Sequence, residues 1–233
     1  QAACTFYEQQ LPRSPQAWQY VTGRGLSPEI IAHYGIGYAP DGEVAPDADR
    51  DGRPDADRLE GPLRDEVTVV LSGGALASDA ELTVTEDVWS VVGDPTEGAF
   101  LVAEKKLGTH GHREGRFGRI GEVPFTSERK MMSVLLTDTA HGTVIMSKGA
   151  PDVLMEHCAR VRVGDADTEL TAQARARFVE HIADMSGRAL RTLGVAYRVL
   201  TDEEAARARR AADSVGGADL SDLERDLVLA GVV

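Results

Sequence analysis

The chain has 233 residues, a formal net charge of -13 at pH 7 and 42% hydrophobic residues, which is enough apolar material to close a core. An excess of acidic side chains repels phosphate backbones and anionic lipids, so the bulk surface is not expected to bind nucleic acid or a membrane surface. No long apolar run and no signal-peptide pattern occurs. Cys4 and Cys158 lack metal-ligand spacing, which favours two reduced thiols over a disulfide framework or a zinc site.

The N-terminal part of the chain differs from the rest in its pattern of apolar and polar residues. Residues 1–40 have helical apolar spacing, and Ser27 with Pro28 is typical of a helix start. Residues 41–62 are rich in Asp, Gly and Pro, which predicts a solvated linker. The sequence therefore predicts a helical segment over 1–40, a linker over 41–62 and a folded domain over 63–233.

The linker contains a partial calcium-loop pattern. Asp47, Asp49 and Asp51 alternate ahead of Gly52, but Arg58 stands where a bidentate glutamate is expected. A flexible acidic linker is the favoured interpretation, and calcium binding stays open.

From about residue 63, short strands alternate with capped helices. We predict helices over Arg64–Ala77, Pro95–Leu107, Pro151 to near Cys158, Thr171 to Gly187, and Thr201 to just before Gly216. We predict strands over Leu82–Thr85, Val88–Val92, Ile120–Pro124, Lys130–Thr137, Gly142–Ser147, Leu190–Val199 and Leu227–Val233. Strands joined mostly by hairpins, with helices between some of them, indicate the α+β class: an antiparallel sheet flanked by helices.

Four stretches place charged or aromatic side chains at the ends of apolar runs. In VPFTSERKMMSV, Phe125 suits stacking on a purine and Lys130 suits a phosphate. Taken alone, that stretch favours the alternative, in which Phe125 is a core residue and Arg129 and Lys130 lie on a solvated strand face. In MSKGAPDVL, Lys148 and Gly149 end a strand and are typical of a pocket floor, or of an exposed turn.

The other two stretches are GDPTEGAF and GRALRTLGVAYR. Asp94, Pro95 and Glu97 have the spacing of a capping box, and Glu97 also suits hydrogen bonding to an adenine amino group. Arg191 and Leu193 are predicted to share one face of a strand and to flank a ligand. The phosphate-binding loops GxxxxGK[ST] and GxGxxG are absent from the sequence, as are GxSxG, HExxH and a convincing Ser/His/Asp set. A nucleotide site here would hold the base and leave the γ-phosphate exposed.

These stretches, in this order, resemble the nucleotide-binding domain of P-type cation-transporting ATPases, most of all the bacterial relatives of calcium and magnesium pumps. The resemblance covers roughly 63–233 and includes GALASDAEL, VVGDPTEGAFLVAEKKLG and SKGAPDVLMEHC. It implies that Phe125 stacks on adenine, Glu97 lies at the base edge, Lys148 lies deep in the pocket and Lys130 lines its mouth. It also implies phosphate contact by Arg191, packing by Leu193, and ATP contacts by Thr96 and Gly149.

The same resemblance implies a wider role. ATP would be bound with Mg²⁺, which the phosphorylation domain would mainly hold, and the partners would be the phosphorylation and actuator domains of one pump. The chain would be a soluble cytoplasmic part of a plasma-membrane ion pump, without direct membrane or nucleic-acid contact. The phosphorylated Asp lies in a DKTGT motif in the family, and the sequence has none, so we expect no catalytic or metal-ligating residue here and no turnover by this chain alone.

Two departures leave alternatives open. Ser127 stands where animal calcium pumps have an Arg, which allows weaker phosphate contact or a scaffold that does not bind nucleotide. Residues 1–40 also resemble the segment between the zinc-binding and catalytic domains of bacterial DNA primase. An interaction or linker module of that type is therefore the rival hypothesis for the N-terminal part.

Overall fold

The structure is a computed structural model that describes residues 9, 11–23, 27–28, 61–85, 88–113, 115–187, 190–212 and 221–233. The described residues belong to two compact units. The first contains helix α1 (Pro15–Gly23) and the segment 80–95. The second contains the described residues of 61–79 and 96–233. The predicted helix beyond Pro28 lies outside the described residues and stays a prediction. The acidic linker also lies outside them, so the calcium-loop hypothesis stays a prediction too.

The remaining helices are α2 (Gly61–Leu76), α3 (Pro95–Leu107), α4 (Pro151–Glu156), α5 (Ala172–Gly187) and α6 (Asp202–Ala212). The strands are β1 (Glu81–Thr85), β2 (Val88–Val92), β3 (Phe117–Val123), β4 (Met131–Asp138), β5 (Gly142–Gly149), β6 (Cys158–Val163), β7 (Ala166–Glu169), β8 (Gly194–Val199) and β9 (Leu227–Val232). None of the helices among the described residues is long and apolar enough to cross a membrane.

Within the described part of the chain, seven strands form one sheet in the order β3-β4-β5-β8-β9-β6-β7, and β1 pairs only with β2. All neighbouring strands of the large sheet are antiparallel except β6 and β9, which are parallel. The predicted α+β class, a mostly antiparallel sheet flanked by helices, is confirmed.

Helices cover both faces of the sheet. Successive strand residues point to opposite faces, so Val195 and Ala196 of β8 show which helices pack on each face of the sheet. A Cβ on Gly73 of α2 would lie 2.8 Å from Val195 Cγ1, whereas Ala196 belongs to the cluster that includes Leu154 of α4 and Ala205 of α6. The sheet therefore separates α2 from the main apolar core, and both faces of its central strands β4 and β5 are buried.

Local signals explain where several elements begin and end. Gly108 follows α3 with φ +74°, the left-handed conformation that closes many helices and that glycine adopts without strain. At the start of α6, the Glu204 N–H donates to Thr201 Oγ1 (3.3 Å) and the Thr201 N–H donates to Glu204 Oε2 (3.1 Å). The predicted Thr201 capping box is thus confirmed.

The observed strands differ from the predicted ones at several points. Strands β6 and β7 were not predicted, because the stretch is short and polar and every residue of β7 is exposed. The strand predicted over Leu190–Val199 begins only at Gly194. The strand predicted from Lys130 begins at Met131, because Lys130 has φ +54° and ends a turn.

The hairpin between β4 and β5 is closed by a buried carboxylate. Arg116 donates from Nε to Asp138 Oδ1 (2.8 Å) and from NH2 to Asp138 Oδ2 (2.9 Å), and the Ala140 N–H also donates to Asp138 Oδ1 (2.9 Å). The Arg116 hydrogen bonds hold the pKa of Asp138 well below its ordinary value. Asp138 therefore stabilises the fold as an anion.

The Cys158 thiol is free and buried at the start of β6. Burial raises its pKa to about 12, although the Arg175 charge acts in the opposite direction. A thiol of this kind packs as a small apolar group and is inert.

Candidate functional site

One end of the sheet collects most of the residues that the sequence predicts for ATP binding. β3 ends at Val123, and β4 begins at Met131, which pairs with Gly149 at the end of β5. Gly149 in turn pairs with Gly194 at the start of β8. Because these four strands are neighbours, six of the predicted residues lie at this end of the sheet, in the last residues of β5 or just beyond a strand end: Phe125, Lys130, Lys148, Gly149, Arg191 and Leu193.

Phe125 projects from the turn between β3 and β4. Its side chain is exposed, with 55% of the residue accessible, which argues against the alternative of a core Phe. An exposed aromatic ring has a free π-face on which a base can stack. Lys130, at the other end of the same turn, is also exposed.

Hydrogen bonds fix this turn at both ends. The Lys130 N–H donates to Thr126 O (2.8 Å), and the Arg129 N–H donates to Thr126 Oγ1 (3.1 Å). The Ala150 N–H donates to Lys130 O (2.9 Å). Ser127, the departure from animal pumps, lies exposed within the turn.

Lys148 lies at the floor of this end and is 5% exposed. Its Nζ donates to Glu97 Oε1 (2.8 Å) and to Ser78 Oγ (2.7 Å), and it lies 5.8 Å from the centroid of the Phe100 ring. A buried ammonium is stable only when it is paired and hydrogen-bonded. The contacts with Glu97 of α3 and with Ser78, which follows α2, meet that requirement.

Glu97 lies in the first turn of α3, half-buried, with Thr96 beside it also half-buried. Its second oxygen, Oε2, accepts the Asp79 N–H (2.9 Å). A carboxylate in the first turn of a helix is favoured by the helix dipole. The sequence assigned no role to Ser78 and Asp79, and the only signal was their place in GALASDAEL.

The structure gives Gly149 a packing reason of its own. A Cβ at this position would lie 2.4 Å from Lys130 O and 2.6 Å from Met131 Cα. Only glycine permits β4 and β5 to approach this closely where Lys130 enters the strand. Contact between Gly149 and a ligand stays a prediction.

Arg191 and Leu193 both precede β8, so the prediction that they share a strand face is wrong. Arg191 is exposed, and Leu193 is half-buried. Leu193 exchanges backbone hydrogen bonds with Val233, at 2.7 and 2.9 Å, which extends the β8–β9 pairing by one residue and stops short of Arg191. Arg191 therefore reaches the site end of the sheet from a connecting segment.

Residues 66–233 match the family described as P-type ATPase, cytoplasmic domain N. The chain belongs to this family. The N domain match includes every residue named above for the site, and the segment 1–40 lies before it. The primase-like hypothesis rests on that segment and stays a prediction, because most of 1–40 lies outside the described residues.

Curated relatives of this N domain are transport ATPases. Calcium-transporting ATPase of Bacillus subtilis is 35% identical over 126 residues, 54% of this chain and 14% of that protein. Probable cation-transporting ATPase F of Mycobacterium tuberculosis is 35% identical over 161 residues, 68% of this chain and 17% of that protein. Cation-transporting ATPase pma1 of Synechocystis is 30% identical over 179 residues, 72% of this chain and 18% of that protein. The chain therefore spans less than a fifth of the length of these relatives.

Proposed function

We propose that this N domain binds ATP at the sheet end formed by β3, β4, β5 and β8, with the adenine ring stacked on Phe125. The observation that carries the proposal is that an exposed aromatic ring and a buried cation lie at the same end of four neighbouring strands. Phe125 is 55% exposed and Lys148 is 5% exposed. An apolar face beside a few convergent polar groups is the usual composition of a ligand site.

The polar groups have separate roles in this proposal. Glu97 accepts a hydrogen bond from the adenine amino group, and Lys148 lies deep beside the base. Lys130 and Arg191, both exposed, attract the phosphates as a point charge and as a guanidinium fork. Thr96, Gly149 and Leu193 complete the lining.

The γ-phosphate points away from this chain toward an aspartate of a phosphorylation domain, and its transfer drives cation transport. The transport ATPases of Bacillus subtilis and Mycobacterium tuberculosis, several times longer than the region they share with this chain, support that division of labour. Binding that orients a phosphoryl donor lowers the barrier chiefly by positioning.

Mg²⁺ accompanies the triphosphate and is held mainly outside this chain. Glu97 is the one carboxylate among the predicted site residues, and it already accepts hydrogen bonds from Lys148 and from the Asp79 N–H. Among the described residues there is no cluster of three or more His, Cys, Asp or Glu suited to a metal. The charged side chains of the site are mainly the cations Lys130, Lys148 and Arg191, which suit phosphate better than a metal ion.

Titration of the isotope-labelled chain with ATP, followed by amide NMR shifts, tests the proposal. We expect shifts at Phe125, Lys148, Glu97 and Arg191, and we expect Phe125→Ala to weaken binding by about 1 to 3 kcal/mol, the range found for base stacking. That loss corresponds to roughly fivefold to 150-fold in Kd. Trp89→Ala, at an exposed aromatic residue of the β1–β2 hairpin that is 41% accessible, is the matched control and should leave Kd unchanged. No shift at these four positions, or equal affinity of the Phe125 variant and the wild type, would refute the proposal and favour a scaffold that does not bind nucleotide.

A further inference from the structure

The guanidinium of Arg129 adds a side-chain link to the turn that carries Phe125. Arg129 NH1 donates to Pro124 O (2.8 Å), the carbonyl immediately before Phe125. Arg129 NH2 donates to the carboxylate of Glu224 (2.5 Å), which lies 95 residues further along the chain. The Arg129 side chain therefore connects the backbone beside the aromatic ring to a distant anchor.

That anchor is buried. The Glu224 side chain is 3% exposed, and its Oε1 also accepts a hydrogen bond from Ser133 Oγ (2.5 Å). Ser133 Oγ lies 2.7 Å from Ser147 Oγ. Since the Ser133 proton is directed at the carboxylate, the Ser147 hydroxyl donates to Ser133 Oγ. The result is a continuous chain of hydrogen bonds from Ser147 to Arg129.

This network links three parts of the site end. Ser147 directly precedes Lys148 on β5, and Ser133 of β4 pairs with Val123 at the end of β3. Glu224 lies just before β9, where its carbonyl accepts a hydrogen bond from His157 Nδ1 (2.6 Å). The anchor is thus fixed through its backbone as well as its side chain.

We propose that Glu224 is a positioning residue for nucleotide binding, which acts through Arg129 to hold the Phe125 turn in its binding conformation. The inference rests on the proposed function, because it concerns the same ATP site. A turn that is ordered before binding avoids the entropy cost of ordering during binding. When the anchor is lost, Arg129 no longer holds the Pro124 carbonyl firmly, and part of the stacking contribution of Phe125 is lost with it.

A purely structural role is the competing explanation, and the chain offers a matched control for it. Glu104 of α3 is a second buried carboxylate, 0% exposed, paired with Arg113. The exposed fractions of the two arginine side chains are nearly equal, 25% for Arg113 and 26% for Arg129. Glu104 Oε1 also accepts a serine hydroxyl, that of Ser72, at 2.7 Å. Glu224→Gln and Glu104→Gln therefore make the same chemical change in similar surroundings.

The experiment measures ATP affinity and unfolding for both variants. We expect both to lower stability, and we expect only Glu224→Gln to raise the Kd for ATP, by roughly threefold to tenfold, a part of the base-stacking range. The ATP-induced NMR shift at Phe125 should shrink in Glu224→Gln and stay unchanged in Glu104→Gln. In a Phe125→Ala background, Glu224→Gln should change Kd by less than about twofold, because the ring that it positions is gone.

Arg129→Lys provides a second route if Glu224→Gln does not fold. Lysine keeps the charge but has no fork to join Glu224 and the Pro124 carbonyl at once. It should weaken ATP binding in the same direction while the fold is retained. Equal affinities for Glu104→Gln, Glu224→Gln and Arg129→Lys would overturn the positioning role.

The two proposals fail in different ways. If the wild-type chain shows no ATP binding, the proposed function fails. If the wild type binds and Phe125→Ala weakens binding, but Glu224→Gln matches Glu104→Gln, the proposed function stands and the positioning role alone is overturned.

Discussion

The Lys148–Glu97 ion pair leads to an asymmetric prediction for stability. The lysine is the deeper partner, with a side chain 6% exposed against 17% for the glutamate. Glu97→Gln removes the carboxylate that pairs with this buried ammonium. Lys148→Met leaves a carboxylate that keeps some solvent and the Asp79 N–H. We therefore expect Glu97→Gln to destabilise the fold more than Lys148→Met.

The magnitudes follow from burial. Removing one partner of a buried ion pair costs about 3 to 5 kcal/mol. Ser78 Oγ still accepts a hydrogen bond from Lys148 in Glu97→Gln, so we expect a loss at or below the lower limit of that range, about 2 to 3 kcal/mol. Methionine fills the volume of the lysine stem and avoids burying a charge, so Lys148→Met should change the free energy of unfolding by less than about 1.5 kcal/mol.

Urea unfolding followed by circular dichroism, without nucleotide, measures both losses. The double variant Glu97→Gln with Lys148→Met closes a double-mutant cycle and isolates the coupling between the two side chains. Lys106→Met, at an exposed lysine of α3, is the control and should fall within about 0.5 kcal/mol of the wild type. If Lys148→Met proved the more destabilising change, the charge of Lys148 would be a net stabiliser and the burial argument would be refuted.

Two further outcomes concern the fold. Gly74→Ala should destabilise the fold by about 1 to 3 kcal/mol, because the new Cβ would lie 2.1 Å from Phe100 Cδ1. Thermal unfolding measures this loss. Gly187→Ala is the control and should not destabilise the fold, because there is open space around its Cβ. Asp138→Asn should cost about 1 to 3 kcal/mol at pH 7 and flatten the pH dependence of unfolding. The pKa of Asp138 is lowered in the fold by Arg116, so its contribution is present above the unfolded pKa of about 3.9 and is lost as the pH falls through the lower folded value. A wild-type stability that stayed constant between about pH 5 and about pH 2 would contradict this account.

The helices were predictable where their end signals are local. The predicted bounds of α3 match the observed Pro95–Leu107, because a proline at its first position and a glycine after its last residue act within one turn. The central strands β4 and β5 were recognisable as apolar runs. By contrast, β7 is short and wholly exposed, so its pairing with β6 depends on neighbours and leaves little trace in the residues themselves.

For the candidate site, the sequence predicted a set of residues but not how their side chains are held. The resemblance assigned Lys148 a deep position, and in the structure its Nζ is hydrogen-bonded to Glu97 and Ser78. No residue pattern indicated that the hydroxyl of Ser78 and the backbone of Asp79 would support that pair. Arg191 was expected on a strand because LRTLGVAY alternates, but the first residue of this stretch that exchanges backbone hydrogen bonds with the neighbouring strand is Leu193, opposite Val233.

Glu224 shows why positioning residues escape sequence reading. It follows a leucine in a polar stretch, SDLERD, and nothing local distinguishes it from the solvated acids around it. Its carboxylate is hydrogen-bonded by Ser133 and Arg129, and Ser133 is hydrogen-bonded in turn to Ser147; these partners lie on or beside two strands distant in the chain. A buried carboxylate of this kind is stable in its charged form only when it is paired with a cation. The ion pair also fixes the position of any other group to which that cation is hydrogen-bonded. Here the partner holds the carbonyl before Phe125, so the buried acid and the exposed ring act as one unit.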